Sequence, residues 1–153
     1  MLSLINEGNV KCNCKQCQLK TLFFPHVADD DLSDICGIKE ERSYSRGEFI
    51  TKEVEPINEF LYLKEGLVKI SKSTIEGKDL IISFSKPFDF VSLLSVFSSD
   101  TYKYSVSAVE DSTVCILDLK VVKNHAKQNA IFTMDLMTRL VKQQIKSFWT
   151  TLK

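Results

Sequence analysis

The sequence is short of charge of one sign, of long hydrophobic runs and of histidine, and each shortage excludes something. Twenty lysines and arginines balance twenty aspartates and glutamates, so no overall basic field marks the chain as a nucleic-acid binder. The longest uncharged stretch, Phe90 to Ser99, is about half of what a bilayer span requires and is punctuated by serines, which excludes a transmembrane helix. The opening residues MLSLINEGNV have no basic region, apolar run or cleavage site of a secretory signal, so a cytoplasmic location is expected. Only His26 and His125 are present. They fall outside the strand-like segments and read as surface or packing histidines, so a cupin-type metalloenzyme is not expected. No Ser-His-Asp arrangement, phosphate-cradling glycine loop or carboxylate pair stands out either, and the chain is not read as an enzyme.

What is present is an ordinary globular composition, 44% hydrophobic and 26% charged over 153 residues, the size of one domain. Such a chain buries enough surface to fold without disulfides or a metal. Five cysteines in a reducing compartment therefore point to metal, cluster or redox roles. The charge is uneven. Lys120 to Lys153 carries seven basic residues against the single acid Asp135, which reads as the solvated side of a helix.

Asn6 to Thr21 is polar and non-periodic and contains Cys12, Cys14 and Cys17. Leu22-Phe23-Phe24 anchors it, and Asp29-Asp30-Asp31 opens a short helix through about Cys36, ended by Gly37. From Lys39 to Leu119, β-branched and aromatic runs alternate with turn residues every eight to twelve positions, the spacing of a sandwich or barrel. Strands are expected at Arg42–Tyr44, Glu48–Thr51, Glu59–Lys64, Leu67–Ser73, Lys78–Phe84, Tyr102–Val109 and Thr113–Leu117. Glu65-Gly66 is expected to close a hairpin, with further turns at Arg46-Gly47, Pro56–Asn58, Glu76-Gly77 and Glu110–Ser112. Val91 to Phe97 reads as one or two helical turns.

The last segment changes period. Met134, Met137, Val141, Ile145, Phe148 and Leu152 form one helical stripe, and Phe132, Leu136 and Leu140 form a second. Two stripes have two surfaces to cover: one packs on the β-domain and the other invites the same helix of a second subunit.

This order of elements resembles the sensor half of the Crp/Fnr transcription regulators, over about Leu22 to Leu152. The resemblance rests on Arg46-Gly47-Glu48-Phe49-Ile50, on Leu63-Lys64-Glu65-Gly66-Leu67-Val68-Lys69, and best on Ser105-Val106-Ser107-Ala108-Val109-Glu110-Asp111-Ser112-Thr113-Val114-Cys115. It implies a mainly β fold with flanking helices, a jelly roll followed by a long C-terminal dimerisation helix. The implied division is a cysteine-containing segment at 1–28, a jelly-roll sensor domain at 29–128 and the helix at 129–153. The sequence also departs from the family. The phosphate-binding cassette reads Pro87-Phe88-Asp89-Phe90-Val91-Ser92-Leu93-Leu94, with Ser92 and Leu93 in place of the Gly-Glu pair that holds the ribose. The arginine for the phosphate falls near Tyr102 or Lys103, and lysine does not replace a bidentate arginine. Cyclic nucleotide is thus not the expected ligand, although a pocket edged by Ser92, Ser105 and Ser107 is. A second loop glycine of the family is replaced by Val54. No helix-turn-helix follows the helix, so DNA contact is expected only through a domain absent from this chain, and a fragment of a longer regulator is the favoured reading.

Oxygen-sensing members of the family use N-terminal cysteines together with one from the β-domain. Here Cys12, Cys14 and Cys17 with Cys115 are the implied metal ligands, for an iron-sulfur cluster or zinc, because thiolates at such spacing can converge on one soft centre. The family's third N-terminal cysteine falls at Phe23, so Cys12 must substitute from upstream. Lys11, Lys15 and Lys20 lower thiol pKa values nearby, which keeps a disulfide or thiol sensor open as the alternative. Cys36, and Cys115 on its apolar strand, also fit plain packing. The expected function is the redox- or oxygen-responsive sensor and dimerisation part of such a regulator. The alternative is a ligand-free dimerising module that modulates a longer regulator.

Overall fold

The computed structural model describes residues 10–11, 23–37, 39–91 and 93–152. The strands are β1 (Val10–Lys11), β2 (Glu40–Tyr44), β3 (Phe49–Thr51), β4 (Glu59–Glu65), β5 (Val68–Ser73), β6 (Asp79–Ser85), β7 (Phe90–Val91), β8 (Ser105–Ala108) and β9 (Ser112–Asp118). The helices are α1 (Asp29–Gly37), α2 (Leu93–Val96), α3 (Leu119–Gln128) and α4 (Ala130–Leu152). Antiparallel pairing builds a larger sheet in the order β1-β2-β9-β4-β7 and a smaller one in the order β3-β8-β5-β6. This is the expected jelly roll, mainly β with a long C-terminal helix.

Alternation along the strands of the larger sheet serves two separate cores. Leu61, Leu63, Val114 and Ile116 face the smaller sheet and pack with Val68, Val91 and Val106. Phe60, Tyr62, Cys115 and Leu117 face the other way, onto Phe23, Phe24, Val27, Leu32, Ile35, Leu119, Val122, Phe132 and Leu136. A layer of helices and N-terminal chain therefore covers the back of the larger sheet. Phe24 stacks on Phe132 at 4.3 Å between centroids, a contact adding about 1 kcal/mol beyond burial.

Glu65-Gly66 does not close a hairpin, which corrects the sequence expectation. β4 belongs to the larger sheet and β5 to the smaller, so the pair is the corner where the chain changes sheet. Gly66 has φ +102°, and a Cβ there would lie 2.2 Å from Ser112 Oγ, so the corner demands glycine for conformation and space. The hairpin lies one turn later, at Glu76-Gly77 between β5 and β6. Two short strands, β1 and β7, were not expected, nor was α3. Asp118 caps α3 by accepting from the backbone N–H of Lys120 at 2.8 Å and of Val121 at 3.3 Å. Asn129 separates α3 from α4 and accepts from Phe132 N–H at 3.0 Å, which starts the last helix.

Along α4 the two stripes divide as their periodicity implies. Phe132 and Leu136 are buried against the β-domain with Leu140 packed beside them, whereas Met134, Met137, Val141 and Ile145 are exposed together with Ile131. The side chains of Phe148 and Leu152 lie outside the described residues.

Candidate functional site

Cys115 stands in the middle of a row that crosses the whole larger sheet. The register pairs Val10 with Glu41, Glu41 with Cys115, Cys115 with Tyr62, and Tyr62 with Phe90. Residues paired across antiparallel strands share a face, and this is the face turned to the helices and N-terminal chain. Cys115 is 1% exposed, a buried thiol aimed away from the jelly-roll interior.

The chain on either side of the cysteine trio meets the larger sheet. Lys11 pairs with Glu40 at the sheet edge, and Cys12 follows it in sequence. Phe23 meets the Tyr62 ring edge-on at 5.2 Å and lies 4.7 Å from the Phe90 ring. Position 23, where the family resemblance expects a cysteine, is thus a buried aromatic packed on the cross-strand neighbour of Cys115. Cys12, Cys14, Cys17 and the Cys36 side chain lie outside the described residues. Among the described residues, no three of His, Cys, Asp and Glu are grouped to hold a metal ion.

Two lysines reach this face. Lys39, between α1 and β2, is 0% exposed, and its Nζ donates to Tyr62 Oη at 3.2 Å while lying 5.9 Å from the ring centroid. Lys64 Nζ donates to Glu41 Oε1 at 2.6 Å, which pairs the carboxylate next to Cys115 in the row. Sequence reasoning missed Lys39: a lone lysine between Ile38 and Glu40 gives no sign of burial.

The cassette loop is held from outside by α4. Gln143 brackets Phe90, accepting from its N–H at 2.8 Å and donating to its carbonyl at 3.0 Å. Arg139 Nη2 donates to the Phe88 carbonyl at 2.9 Å, with its guanidinium 5.0 Å from the Phe23 centroid. Its buried Nε has no hydrogen-bond partner among the described residues, and the aromatic face partly compensates. Phe88 is left-handed at φ 72°, a strained setting for a bulky residue. Neither Arg139 nor Gln143 was singled out from sequence, since each reads as the polar side of a helix.

Of the two positions near the family's phosphate arginine, Lys103 is exposed and Tyr102 is 6% exposed. Burial first, then the nearby carboxylate of Glu59, pushes the Tyr102 hydroxyl up to about 12, so it stays neutral. Ser105 Oγ accepts from Glu53 N–H at 3.1 Å and Ser107 is buried. The described residues of the interior form an apolar cluster. The side chains of Ser92, Leu93 and Leu94 lie outside the described residues. His125 lies 5.7 Å from the Phe132 ring, a packing role. His26 instead ties the N-terminal chain to α4 through Asp135, with Nδ1 2.7 Å from one carboxylate oxygen.

The model of the cyclic nucleotide-binding domain family matches residues 41–129. The transcriptional activator protein anr of Pseudomonas aeruginosa is 29% identical over 140 residues, which cover 89% of this chain and 56% of that protein. An anaerobic regulatory protein of Bacillus subtilis is 27% identical over 115 residues, covering 72% of this chain and 48% of its own length. The chain thus spans about half the length of the curated relatives it matches. Among solved structures, the sensor domain of the transcriptional regulator DNR from Pseudomonas aeruginosa has a TM-score of 0.73 at 21% identity, covering 86% of this chain and 91% of that one. The catabolite activator protein of Thermus thermophilus has a TM-score of 0.65 at 15% identity, covering 81% of this chain and 58% of that one. These likenesses share the two-sheet fold described above. With more than half of its residues within the family match, the chain belongs to the cyclic nucleotide-binding domain family, in its Crp/Fnr branch.

Proposed function

We propose that this chain is the sensor and dimerisation portion of a cytoplasmic Crp/Fnr-type transcription regulator that answers to redox state or oxygen rather than to a cyclic nucleotide. The observation that supports the reading is the placement of Cys115: it is buried on the face of the larger sheet against which Phe23, after the cysteine trio, packs, in a sheet whose edge strand ends at Lys11, just before the trio. Cys12, Cys14, Cys17 and Cys115 would hold an iron-sulfur cluster or zinc. The described member of that donor set, Cys115, is a soft thiol held away from solvent, a donor type that suits such a group. When bound, an iron-sulfur cluster supplies an oxygen-labile tether between the N-terminal chain and the sheet.

The chain's own residues connect that tether to α4. Phe23 touches Tyr62 on one side and Arg139 on the other, and His26 is bonded to Asp135. A shift of the N-terminal chain therefore biases how α4 is seated. In this reading, the exposed stripe of Met134, Met137, Val141 and Ile145 packs on the same helix of a second copy. DNA is contacted by a helix-turn-helix domain outside this chain. A second reading, a ligand-free dimerising module that modulates a longer regulator, draws on the same stripe, which requires no ligand.

The test is an absorption spectrum with iron, sulfide and zinc analysis on protein purified without oxygen. The expected result is metal bound through the thiols: either a broad band near about 400 nm that bleaches in air, or zinc. Both are lost when Cys12, Cys14 and Cys17 are replaced by serine. Colourless, metal-free protein whose thiols are unchanged by air would overturn this reading in favour of the ligand-free module.

A further inference from the structure

The smaller sheet has one covered face and one open face. Val68, Ile70 and Val106 point to the larger sheet, so the residues between them along β5 and β8 point outward. One outward row crosses all four strands: Phe49 on β3 pairs with Ser107 on β8, Ser107 with Lys69 on β5, and Lys69 with Phe84 on β6. The next outward row runs from Ser105 through Ser71 to Ile81. The open face of an antiparallel sheet is ordinarily polar. Here its two edges carry phenylalanines that are half exposed, and Ile81 on the Phe84 strand is half exposed as well. Phe49 and Phe84 stand three strand spacings apart, about 14 Å. Two ammonium groups accompany the rings: Lys69 in the row between them, and Lys52, whose Nζ lies 5.4 Å from the Phe49 centroid. Among the described residues neither lysine has a carboxylate partner. The carboxylates toward the β5–β6 turn are engaged, Glu53 by Lys72 and the Ser73 N–H, and Asp79 by the Ser73 hydroxyl.

We infer that this outer face is a binding platform for a single strand of nucleic acid, whose bases stack on Phe49 and Phe84 and whose phosphates meet Lys52 and Lys69. Exposed rings beside unpaired ammonium groups call for a ligand that offers flat π faces and negative charge together. A single strand does so, since every base has a π face and every linkage a phosphate. An acidic peptide would match the lysines and leave the rings unstacked, and a duplex keeps its bases within its own stack. The separation of about 14 Å is the length of about four nucleotides of a stacked strand, the lower end of the site sizes of single-strand binders. Stacking carries no base preference, so the platform holds a strand without reading it. It depends on neither the cysteines nor the exposed stripe of α4.

The probe is a fluorescein-labelled oligothymidylate of about twelve nucleotides, titrated with the whole chain and followed by fluorescence anisotropy. Log affinity is expected to fall against log salt with a slope of about −1.4, from two phosphate contacts at about −0.7 each. Phe49→Ala and Phe84→Ala are each expected to weaken binding by about five- to a hundredfold. Lys69→Gln should make the slope shallower by about 0.7. Both rings are half exposed, so the alanine variants should keep the wild-type melting temperature. Where one of them does not fold, Lys52→Gln, on an exposed side chain, tests the same face through the same change of slope. Absence of binding at low salt would overturn the proposal. Binding that survives the combined loss of both rings and Lys69 also overturns it, by placing the strand elsewhere on the molecule. Equal affinity for a duplex of the same length, or for polyglutamate, does so too, by reducing the attraction to charge alone.

Discussion

His26 and Asp135 are joined twice. The imidazole Nδ1 lies 2.7 Å from Asp135 Oδ1, and the backbone N–H of His26 donates to Oδ2 at 2.9 Å. The carboxylate is nearly buried on α4, whereas the imidazole is 77% exposed, so the two partners are unequal. Asp135→Ala is expected to cost about 1–3 kcal/mol, because the backbone N–H and the imidazole of His26 both lose their partner on α4. His26→Ala keeps the backbone bond and should cost less than half as much. Urea unfolding of the two variants measures this, and equal losses would assign the tie to the ring instead.

Val54 occupies the left-handed region at φ 67° and its side chain is 79% exposed, so nothing gained by packing offsets the strain of a β-branched residue there. The departure from the family's glycine at this loop has a physical cost. Val54→Gly is expected to stabilise the domain by about 1 kcal/mol, seen as a raised denaturant midpoint at constant slope. A lowered midpoint would mean that the unfolded chain's gain in freedom outweighs the strain.

The exposed stripe of α4 predicts a self-association that charge disrupts. Val141→Glu with Ile145→Glu should weaken the dimer by about thirtyfold or more, corresponding to ~2 kcal/mol at an interface centre, as read by sedimentation equilibrium. Lys127→Glu on exposed α3 surface is the control and should leave association unchanged. A monomeric wild type at high concentration would remove this role from the stripe.

Glu53 is held below the usual carboxylate range, first by the backbone N–H of Ser73, which donates to it at 2.7 Å, and then by Lys72 at 3.2 Å. A carboxylate lowered by folding stabilises the native state fully above its unfolded pKa, ~4.3, and ceases to do so as pH falls through the lower folded value. Glu53→Gln should therefore be less stable than the wild type at pH 7. The difference should narrow below about pH 4 and vanish at still lower pH. A gap that stays constant over that range would show that geometry, not charge, makes the contact.

Local pattern made most strands legible, because β-branched and aromatic runs broken by Gly47, Gly66 and Gly77 carry their own turn chemistry. It misjudged Gly66 because a sheet-changing corner and a hairpin turn ask for the same residue, and only long-range pairing to β9 tells them apart. It passed over α3, whose start is signalled by Asp118 ahead of Leu119 and Val122, since a short helix after a buried strand continues the same apolar texture. At the site, Cys115 could be singled out, but not the face to which it points: Val114 and Ile116 are also buried, so alternation is invisible in a strand covered on both sides. Lys39, Arg139 and His26 acquire their roles only from contacts many residues distant, and no local signal announces those.

The double coverage of the larger sheet has a dynamic consequence. In β4, Phe60 and Tyr62 are buried under the helices while Leu61 and Leu63 are buried under the other sheet, and β9 is flanked in the same way. Amide hydrogens in these two strands should exchange with solvent only through global unfolding, as the slowest in the protein, while the exposed edge strand β6 exchanges early. Among the described residues, ring contacts lead off the Cys115 face sideways across that floor, from Tyr62 through Phe23 to Arg139 on α4.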